Sequence, residues 1–337
     1  MSISDNPLIK ITPRGLYCPR GDFYLDPLGK EKVSLAIISH AHADHLRWGH
    51  DRYICSEKSK FVVLKRLNEE DESSILETFP FGEKFKLGDV EVSFHPAGHI
   101  LGSAQVRMEC DGEVWVYTGD FKRGADDTCE PFEPVECDYL ISEATFPLPI
   151  FRWPDFNSEV EKIFKWWRES AKEGKPALIG AYSLGKAQRI IKALRDRTSD
   201  EIFIHGAVDE VCKAYGKSGL EFENLTRVVS DVKQDYKGAL IIAPPSAIRS
   251  SWGRKFKNKT TAFASGWMRV RAHRRRRGVD RGFIISDHAD WDGLLKTFDQ
   301  SRAKHIYLFH NNTTAMINHL EDRGYSISKI DSLGSLP

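Results

Sequence analysis

The chain has 337 residues, of which 41% are hydrophobic and 29% are charged, and its formal net charge is +1. This composition excludes a disordered or fibrous chain, and the near-neutral balance argues against a protein that is basic over its whole surface. No run reaches the roughly 20 apolar residues of a membrane span, and the N-terminal residues lack the features of a signal peptide. We therefore expect a cytoplasmic protein without membrane association.

The first 145 residues predict short strands separated by turns. Four apolar or alternating runs are bounded by Gly, Asp or Pro, and each is followed by a polar segment. These runs are LAII, VEVSF, VWVY and YLIS. Because α/β sheets usually place their sites at the carboxyl ends of strands, the polar segments are the first candidates for chemistry.

The pattern changes after Pro149 to alternating strands and helices. The segment NSEVEKIFKWWRESAKEGKP predicts a helix that starts with a capping box at Ser158 and Glu161, and SLGKAQRIIKAL predicts a second helix. From Gly282 the earlier pattern returns. The sequence therefore predicts an α/β protein in which residues 148–269 form a domain inserted into a first domain of residues 1–147 and 270–337.

The stretch HAHADH directly follows the predicted strand LAII. It places His40, His42, Asp44 and His45 in the pattern H-x-H-x-D-H. Neutral imidazoles and a carboxylate are ligands that suit zinc, and also manganese or iron. An isolated HxH is more often a turn or core feature, but the full pattern after a strand favours a metal site.

A metal site of this kind needs further ligands downstream, and three residues are candidates. His99 lies among small residues in PAGHILGSAQ, where an ion could approach closely. Asp120 follows a strand in VYTGD, and one carboxylate can bridge two ions. His310 follows the predicted strand HIYLF.

These segments resemble known motifs. HAHADH, PAGHILGSAQ and YTGD resemble the metal-binding motifs of the metallo-β-lactamase fold, an αββα sandwich. SEATF around Glu143, SDHADW around His288 and FH at His310 resemble further motifs of its β-CASP branch, which processes nucleic acids and carries an inserted domain. GLYCPRGDFYLDP, YSLGKAQRI, APPSA and FASGWMRVRAHRRRRGVDRGF extend the match to the ligase-associated DNA exonuclease group, typically encoded beside a DNA ligase and a helicase.

The resemblance implies two divalent transition-metal ions, zinc or manganese, with one shared ligand. The implied ligands are His40, His42 and His99 for the first ion, Asp44, His45 and His310 for the second, and Asp120 as the bridge. One departure concerns the last ligand, because the group usually continues with His-Gly whereas this chain has Asn311 after His310.

The same resemblance implies catalytic roles. A hydroxide that bridges the two ions would attack the phosphodiester, with Asp44 and Asp120 contributing as ion-holding carboxylates. His288 would act as the general acid that protonates the leaving group, and Glu143 would accept a hydrogen bond from its other ring nitrogen. Asp26 matches an early acidic motif and is expected to orient ligands or loops.

Two segments are candidates for contacts with nucleic acid. Ser183, Lys186 and Arg189 lie at the start of a predicted helix, where a phosphate could bind, although an ordinary helix start explains them equally well. An arginine-rich run precedes the strand that leads to His288. Its candidate residues are Arg269, Arg271, Arg274, Arg275, Arg276 and Arg277.

The sequence thus predicts a two-metal DNA phosphodiesterase, an exonuclease that trims single-stranded or frayed ends in DNA repair, with a functional link to a DNA ligase and a helicase. An RNA-processing nuclease is the first alternative, because a histidine at position 310 matches RNA-cleaving members of the superfamily. A small-molecule ester or thioester hydrolase is disfavoured by the inserted domain and the arginine run. A non-catalytic scaffold is disfavoured by the full set of candidate ligands.

Overall fold

The computed structural model describes residues 7–29, 31–71, 73–229, 234–309 and 313–334. Contacts divide the described chain into two compact units. The first comprises the residues up to Pro149 and those from His288 onward, and the second is Ile150–Asp287.

Nineteen strands lie in the described ranges: β1 Lys10–Thr12, β2 Gly15–Cys18, β3 Phe23–Leu25, β4 Leu35–Ile37, β5 Arg52–Ser56, β6 Leu76–Phe79, β7 Lys84–Leu87, β8 Val90–Pro96, β9 Ala104–Cys110, β10 Glu113–Tyr117, β11 Tyr139–Glu143, β12 Ala177–Gly180, β13 Ile202–Ile204, β14 Leu225–Arg227, β15 Leu240–Ala243, β16 Thr260–Ala264, β17 Arg281–Phe283, β18 His305–Phe309 and β19 Ile327–Lys329. The α-helices of the same ranges are α1 Lys60–Leu67, α2 Phe156–Lys172, α3 Lys186–Arg195, α4 Gly206–Lys217, α5 Ser251–Arg254, α6 Arg271–Arg277, α7 Trp291–Ser301 and α8 Thr314–Glu321.

Two sheets pack face to face in the first unit. Their strand orders are β1-β2-β3-β4-β5-β6 and β19-β18-β11-β10-β9-β8-β7. Strand β10 shows how the second sheet serves two interfaces: Trp115 and Tyr117 join the core between the sheets, whereas Val116 packs with residues of α7 and α8. This follows from the alternation of side chains along a strand. The predicted αββα sandwich is confirmed.

Strand direction brings the polar segments of the first unit to one edge. Strands β10, β11 and β18 are parallel to one another, and β8 runs the same way because β9 is antiparallel to both β8 and β10. The turns after β8 and β10 and the end of β11 therefore meet. In the other sheet, β4 ends just before the HAHADH segment.

The second unit contains a six-stranded parallel sheet in the order β14-β13-β15-β12-β16-β17. Strand β17 pairs with β16, where Phe263 is opposite Gly282. Residues 270–287, which we predicted to belong to the first domain, therefore lie in the second unit. The boundary falls after Asp287 because β17 completes an edge of this sheet.

The helices of the second unit begin where polar caps allow them to. Helix α2 starts three residues earlier than a capping box at Ser158 and Glu161 requires, because the Asp155 side chain accepts a hydrogen bond from the Ser158 amide at 2.8 Å. The predicted capping box is therefore wrong. The helix predicted from SLGKAQRIIKAL is confirmed as α3, whose apolar residues at helical spacing, Ala187, Ile190, Ile191 and Leu194, are buried. No helix in the described ranges combines the length and apolar character of a membrane span.

The turn between β8 and β9 depends on a close backbone approach at Gly102. Its φ is +70°, and a Cβ atom there would lie 2.2 Å from the amide nitrogen of Ser59. The Gly102 carbonyl also accepts a hydrogen bond from the Ser56 hydroxyl. Gly112, in the hairpin between β9 and β10, has a φ of +81°, but a Cβ atom at that position would have no neighbour within 4 Å.

We expect Gly102→Ala to destabilise the protein more than Gly112→Ala. The positive φ should cost each variant about 1–2 kcal/mol of unfolding free energy. The clash with Ser59 should cost Gly102→Ala roughly 1–3 kcal/mol more, because backbone must move. Urea unfolding of both variants measures the difference, and equal losses would mean that the segment around Ser59 yields without cost.

Candidate metal centre

Three histidines and one aspartate converge at the edge of the sandwich. His42 Nδ1 lies 3.1 Å from His40 Nε2 and 3.0 Å from His99 Nε2. Together with Asp120, these side chains offer four donor atoms that all lie within 4.8 Å of one another. They come from the turn after β4, the turn after β8 and the turn after β10, so the sandwich brings together residues that are far apart in sequence.

The chemistry of this donor set fits a divalent transition-metal ion. Four ligands at about 2.0–2.1 Å in a tetrahedron are separated by about 3.3 Å, and the separations between these ring nitrogens are close to that value. Three imidazole nitrogens this close cannot all satisfy one another through hydrogen bonds, because each neutral ring has a single N–H. A cation at their centre would accept all three lone pairs.

Asp120 occupies the centre of a wider group of histidines. A single oxygen, Oδ2, lies 3.6 Å from His40 Nε2, 3.5 Å from His45 Nε2, 3.8 Å from His99 Nε2 and 3.8 Å from His288 Nδ1. The carboxylate is buried. It therefore lies where one ligand could serve two neighbouring ions, which is the position that a bridging role requires.

Asp26 holds the neighbouring histidine in place. Its Oδ2 lies 2.7 Å from His45 Nδ1, accepts a hydrogen bond from Tyr117 at 2.9 Å, and also accepts one from the Ser39 hydroxyl. Its Oδ1 accepts the Ser39 amide at 2.7 Å. Asp26, His40 and His45 are close enough to hold an ion themselves, but the four hydrogen bonds already occupy the carboxylate. Orientation of His45 is the role that this geometry favours.

Sequence reasoning missed three supporting residues. Tyr117 and Ser39 bind Asp26, and the Ser39 hydroxyl also lies 3.0 Å from His40 Nδ1. Thr145 donates a hydrogen bond to Glu143. Tyr117 and Thr145 lie within the segments VYTGD and SEATF, and Ser39 directly precedes HAHADH. Nothing in a hydroxyl side chain marks it in advance as a hydrogen-bond donor to a buried carboxylate.

The surroundings shift the pKa values of His40 and His45, the two buried histidines of the HAHADH segment, in opposite directions. Burial, together with the neighbouring His45 and His99, lowers the pKa of His40 well below its ordinary value, so this ring is neutral and able to ligate. Burial also acts to lower the pKa of His45, but the carboxylates of Asp120 and Asp26 outweigh it and raise that pKa well above its ordinary value. A cation bound by His45 would therefore displace a proton, which makes its binding weaker at lower pH.

Two of the predicted ligands, His310 and Asp44, need separate mention. His310 lies outside the described residues, so its prediction stays open. Asp44 is exposed and belongs to no group of three or more donors in the described part of the chain. It does line a cavity of about 460 Å³ together with Asp26, His45 and Tyr117, so it faces the same side of the cluster as His45.

His288 and Glu143 form a pair beside Asp120. His288 Nδ1 lies 3.1 Å from both carboxylate oxygens of Glu143. The Glu143 carboxylate is buried and is further fixed by the Phe121 amide at 2.7 Å and by Thr145. The His288 side chain is 23% exposed, so it alone of this pair can be reached from solvent. Nδ1 is thus the ring nitrogen that faces the carboxylate.

Two residues predicted to contact phosphate at the start of α3, Lys186 and Arg189, bind other groups of the protein in the structure. Lys186 Nζ lies 3.1 Å from Asp287 Oδ2, and Arg189 donates a hydrogen bond to the Ser286 carbonyl at 3.0 Å. Both cations are buried, and Arg189 also covers the ring of Phe156. As observed, Lys186 and Arg189 face Asp287 and not solvent, because the buried carboxylate requires positive partners. Ser183 is partly buried, and its predicted contact is untested.

The arginine run adopts a helix. Residues Arg271–Arg277 form α6, which ends at Gly278 with a φ of +53°. Arg271, Arg275 and Arg276 are exposed, and the side chains of Arg274 and Arg277 are outside what the structure describes. Arg269 precedes the helix and donates a hydrogen bond to the Ile150 carbonyl at 3.1 Å.

Comparison with known proteins gives several relatives. No family model matches the chain. A protein named "Probable DNA ligase" from Opitutus terrae is 32% identical over 314 residues, which cover 92% of this chain and 30% of that protein. The "RNase J-like protein" of Methanocaldococcus jannaschii is 27% identical over 47% of this chain and 42% of its own length. "Cleavage and polyadenylation specificity factor 73" of Drosophila melanogaster is 27% identical over 54% of this chain and 31% of its own length.

The chain therefore spans less than half the length of these relatives. Among solved structures, a protein of unknown function from Enterococcus faecalis V583 matches with a TM-score of 0.56 and 14% identity, covering 87% of this chain and 78% of that one. That likeness concerns the fold alone.

Proposed function

Because this chain belongs to the metallo-β-lactamase/β-CASP superfamily, in its ligase-associated nuclease group, we propose that it is a metal-dependent phosphodiesterase that trims DNA ends. The observation that carries the proposal is the convergence of His40, His42, His99 and Asp120 beside the pair formed by His288 and Glu143. This arrangement unites a set of donors for a metal ion with a histidine that can transfer a proton.

The proposed ligands divide into two groups around Asp120. His40, His42 and His99 would hold one ion, and His45 with Asp44 and His310 would hold the second. Two divalent ions, zinc or manganese, supply an activated water at neutral pH and neutralise negative charge on the phosphate. Asp26 and Ser39 keep His45 and His40 oriented, because each donates or accepts at the ring nitrogen that faces away from Asp120.

His288 is the proposed general acid. Glu143 fixes Nδ1, so the proton for the departing oxygen would be delivered from Nε2, and the buried carboxylate stabilises the protonated ring. Thr145 and the Phe121 amide hold Glu143 in turn, so that the carboxylate cannot rotate away from the ring.

Two features favour DNA as the polymer. The similarity that covers 92% of the chain is to a protein named as a DNA ligase, which supports a functional link to end joining. Exposed arginines on α6 provide cations for a phosphate backbone. An RNA-processing nuclease is the second candidate, favoured by the names of relatives such as the RNase J-like protein. The links to repair and to a helicase, and the cytoplasmic location, stay predictions.

Digestion of matched oligonucleotides tests the proposed function. After chelation and restoration of zinc or manganese, we expect end-labelled single-stranded DNA to be shortened stepwise, whereas RNA of the same sequence stays intact. Gel analysis separates the outcomes. Preferential cleavage of RNA would support the second candidate. Internal DNA fragments would show endonuclease activity and would contradict end trimming. No cleavage of either polymer with any ion would refute the proposal.

Substitution of His288 tests its role as an acid. His288→Ala should lower the rate of cleavage by roughly 10²- to 10⁴-fold, because the leaving oxygen loses its proton donor. Elemental analysis should find the metal content unchanged, since this residue is not a proposed ligand. Loss of an ion from the variant would instead make His288 a ligand.

A matched control for this substitution lies on β8. His95 Nδ1 is 3.1 Å from Glu133, the same distance as in the His288 pair, but His95 is not in the donor cluster. His95→Ala should keep both cleavage and metal content, which separates the catalytic contribution of His288 from the general effect of removing a histidine paired with a carboxylate.

The charge of α6 should set the salt dependence of DNA binding. Replacement of Arg274 through Arg277 by Gln preserves helix propensity but removes four cations. We expect weaker binding and a shallower slope of log affinity against log salt, by up to about 0.7 for each lost contact with a single strand. As control, Lys213→Gln with Arg227→Gln removes cations already paired with Asp209 and Glu210. An unchanged slope in the α6 variant would assign this helix to solvent.

A further inference from the structure

One tryptophan of the first unit is almost fully exposed. The side chain of Trp48 has 82% of its surface accessible, more than the other exposed large hydrophobic side chains of the described residues. It makes no hydrogen bond or ring contact with any part of the chain that the structure describes. Tryptophan is enriched at interfaces because its ring offers a large contact area, so this exposed indole is a candidate for contact with a partner.

The backbone around Trp48 is fixed on both sides. On one side, Leu46 is buried and its amide donates to the His42 carbonyl at 2.8 Å. On the other, the buried Tyr53 hydroxyl donates to the Arg47 carbonyl at 2.8 Å and accepts the His50 amide at 3.0 Å. The tip Arg47–Gly49 is therefore held at its two ends by hydrogen bonds to the interior. The indole is presented to solvent by a constrained loop.

The tip begins two residues after His45, and one cavity is lined by both Arg47 of the tip and His45 beside the metal-ligand candidates. Arg47 lines the cavity of about 460 Å³ that His45 and Asp44 also line, and its wall is largely apolar through residues such as Leu16 and Phe309. A polymer bound across Arg47 and Trp48 would thus have one end of the bound segment close to the residues proposed for chemistry.

The surroundings of Trp48 identify the kind of partner. The exposed neighbours along the chain are Arg47, Gly49, Asp51 and Arg52, so the indole is flanked in sequence by charged residues and a glycine and by no other exposed apolar side chain. A protein partner would be expected to cover a larger apolar surface. An aromatic face next to an arginine matches a nucleobase next to its phosphate, where stacking and charge act together.

We propose that Arg47 and Trp48 form a base-stacking platform that receives single-stranded nucleic acid at the metal centre. The proposal rests on the proposed nuclease function and deepens it, because it names the form of the substrate. A duplex offers no unpaired base face to the indole except at its end, so the platform selects single strands or frayed ends.

The test compares oligonucleotides with and without bases. Binding of Trp48→Ala, Trp48→Phe and wild-type protein, all metal-loaded, is measured by fluorescence anisotropy with a phosphorothioate-linked deoxyadenosine 12-mer, which slows cleavage. The second ligand is an abasic 12-mer with the same linkages, and a riboadenosine 12-mer distinguishes RNA from DNA. Val229→Ala, which shortens an apolar side chain that is 47% exposed in the other unit, is the control substitution.

We expect Trp48→Ala to bind the deoxyadenosine 12-mer roughly 5- to 150-fold more weakly than wild type, the loss that follows when one base loses its aromatic partner. Trp48→Phe should recover most of the affinity, and Val229→Ala should bind as wild type does. On the abasic 12-mer, Trp48→Ala and wild type should be equal, because no base is present to stack. A stronger effect on the ribo-oligomer would make RNA the polymer that the platform serves.

Equal affinities of Trp48→Ala and wild type for the oligomer with bases would overturn the platform. So would an equal loss on the abasic oligomer, because it would trace the effect to backbone contacts or to misfolding. Hydrolysis of bis(p-nitrophenyl) phosphate by wild-type protein, a diester without a base, reports on the metal-dependent chemistry separately. If that activity is present, a failed platform leaves the proposed function standing. If wild type neither hydrolyses this diester nor binds any oligomer, both proposals fail.

Discussion

The burial of imidazole and carboxylate groups at one edge of the sandwich is the constraint on which the rest of the first unit depends. His40, His99 and Asp120 are at most 3% exposed, and polar groups removed from water in this way destabilise a fold unless they are paired. The Asp120 carboxylate faces ring nitrogens of several histidines, while those nitrogens crowd one another. The cluster is consequently balanced only with bound protons or cations, and this imbalance is what makes it suitable for binding metal.

The supporting contacts show how the fold compensates for that burial. Asp26 ends a short strand, adopts a φ of +39° and links the HAHADH turn to β10 through Tyr117. A non-glycine residue in this region of φ costs on the order of 1 kcal/mol, which the four hydrogen bonds to its carboxylate can offset. The same carboxylate orients His45. A single aspartate thus ties together the two sheets of the sandwich at the point where the donors meet.

Buried charge also marks the end of the second unit. Lys186 and Asp287 are each about 4% exposed on their side chains and pair with one another, and Arg189 binds the adjacent Ser286 carbonyl. Asp287 is the last residue of that unit and His288 the first of the returning part of the other. The segment that leads into the proposed acid is therefore anchored by two cations from α3, which gives these residues a structural role, while their phosphate contacts stay a prediction.

The sequence by itself determined the strands that end in polar segments, the buried stripe of α3, and the residue types that could ligate a metal. These are properties of local spacing: a strand alternates every two residues, a helix every three to four, and H-x-H places two rings on one side of an extended segment. It did not determine the start of α2, because Asp155 and Ser158 are both acceptable caps and only the preceding chain path selects one. Nor did it reveal that β17 pairs with β16 and carries residues 270–287 into the second unit.

Only the tertiary structure decided which candidates meet. His42 and His99 are 57 residues apart, and their ring nitrogens come within 3.0 Å because β8 and the HAHADH turn end at the same edge. It also decided that Lys186 and Arg189 face Asp287, that Asp44 is exposed, and that Trp48 is presented to solvent while Trp115 fills the core. Burial and pairing are set by distant parts of the chain through packing, so the residue types can be identified from local pattern but their partners cannot.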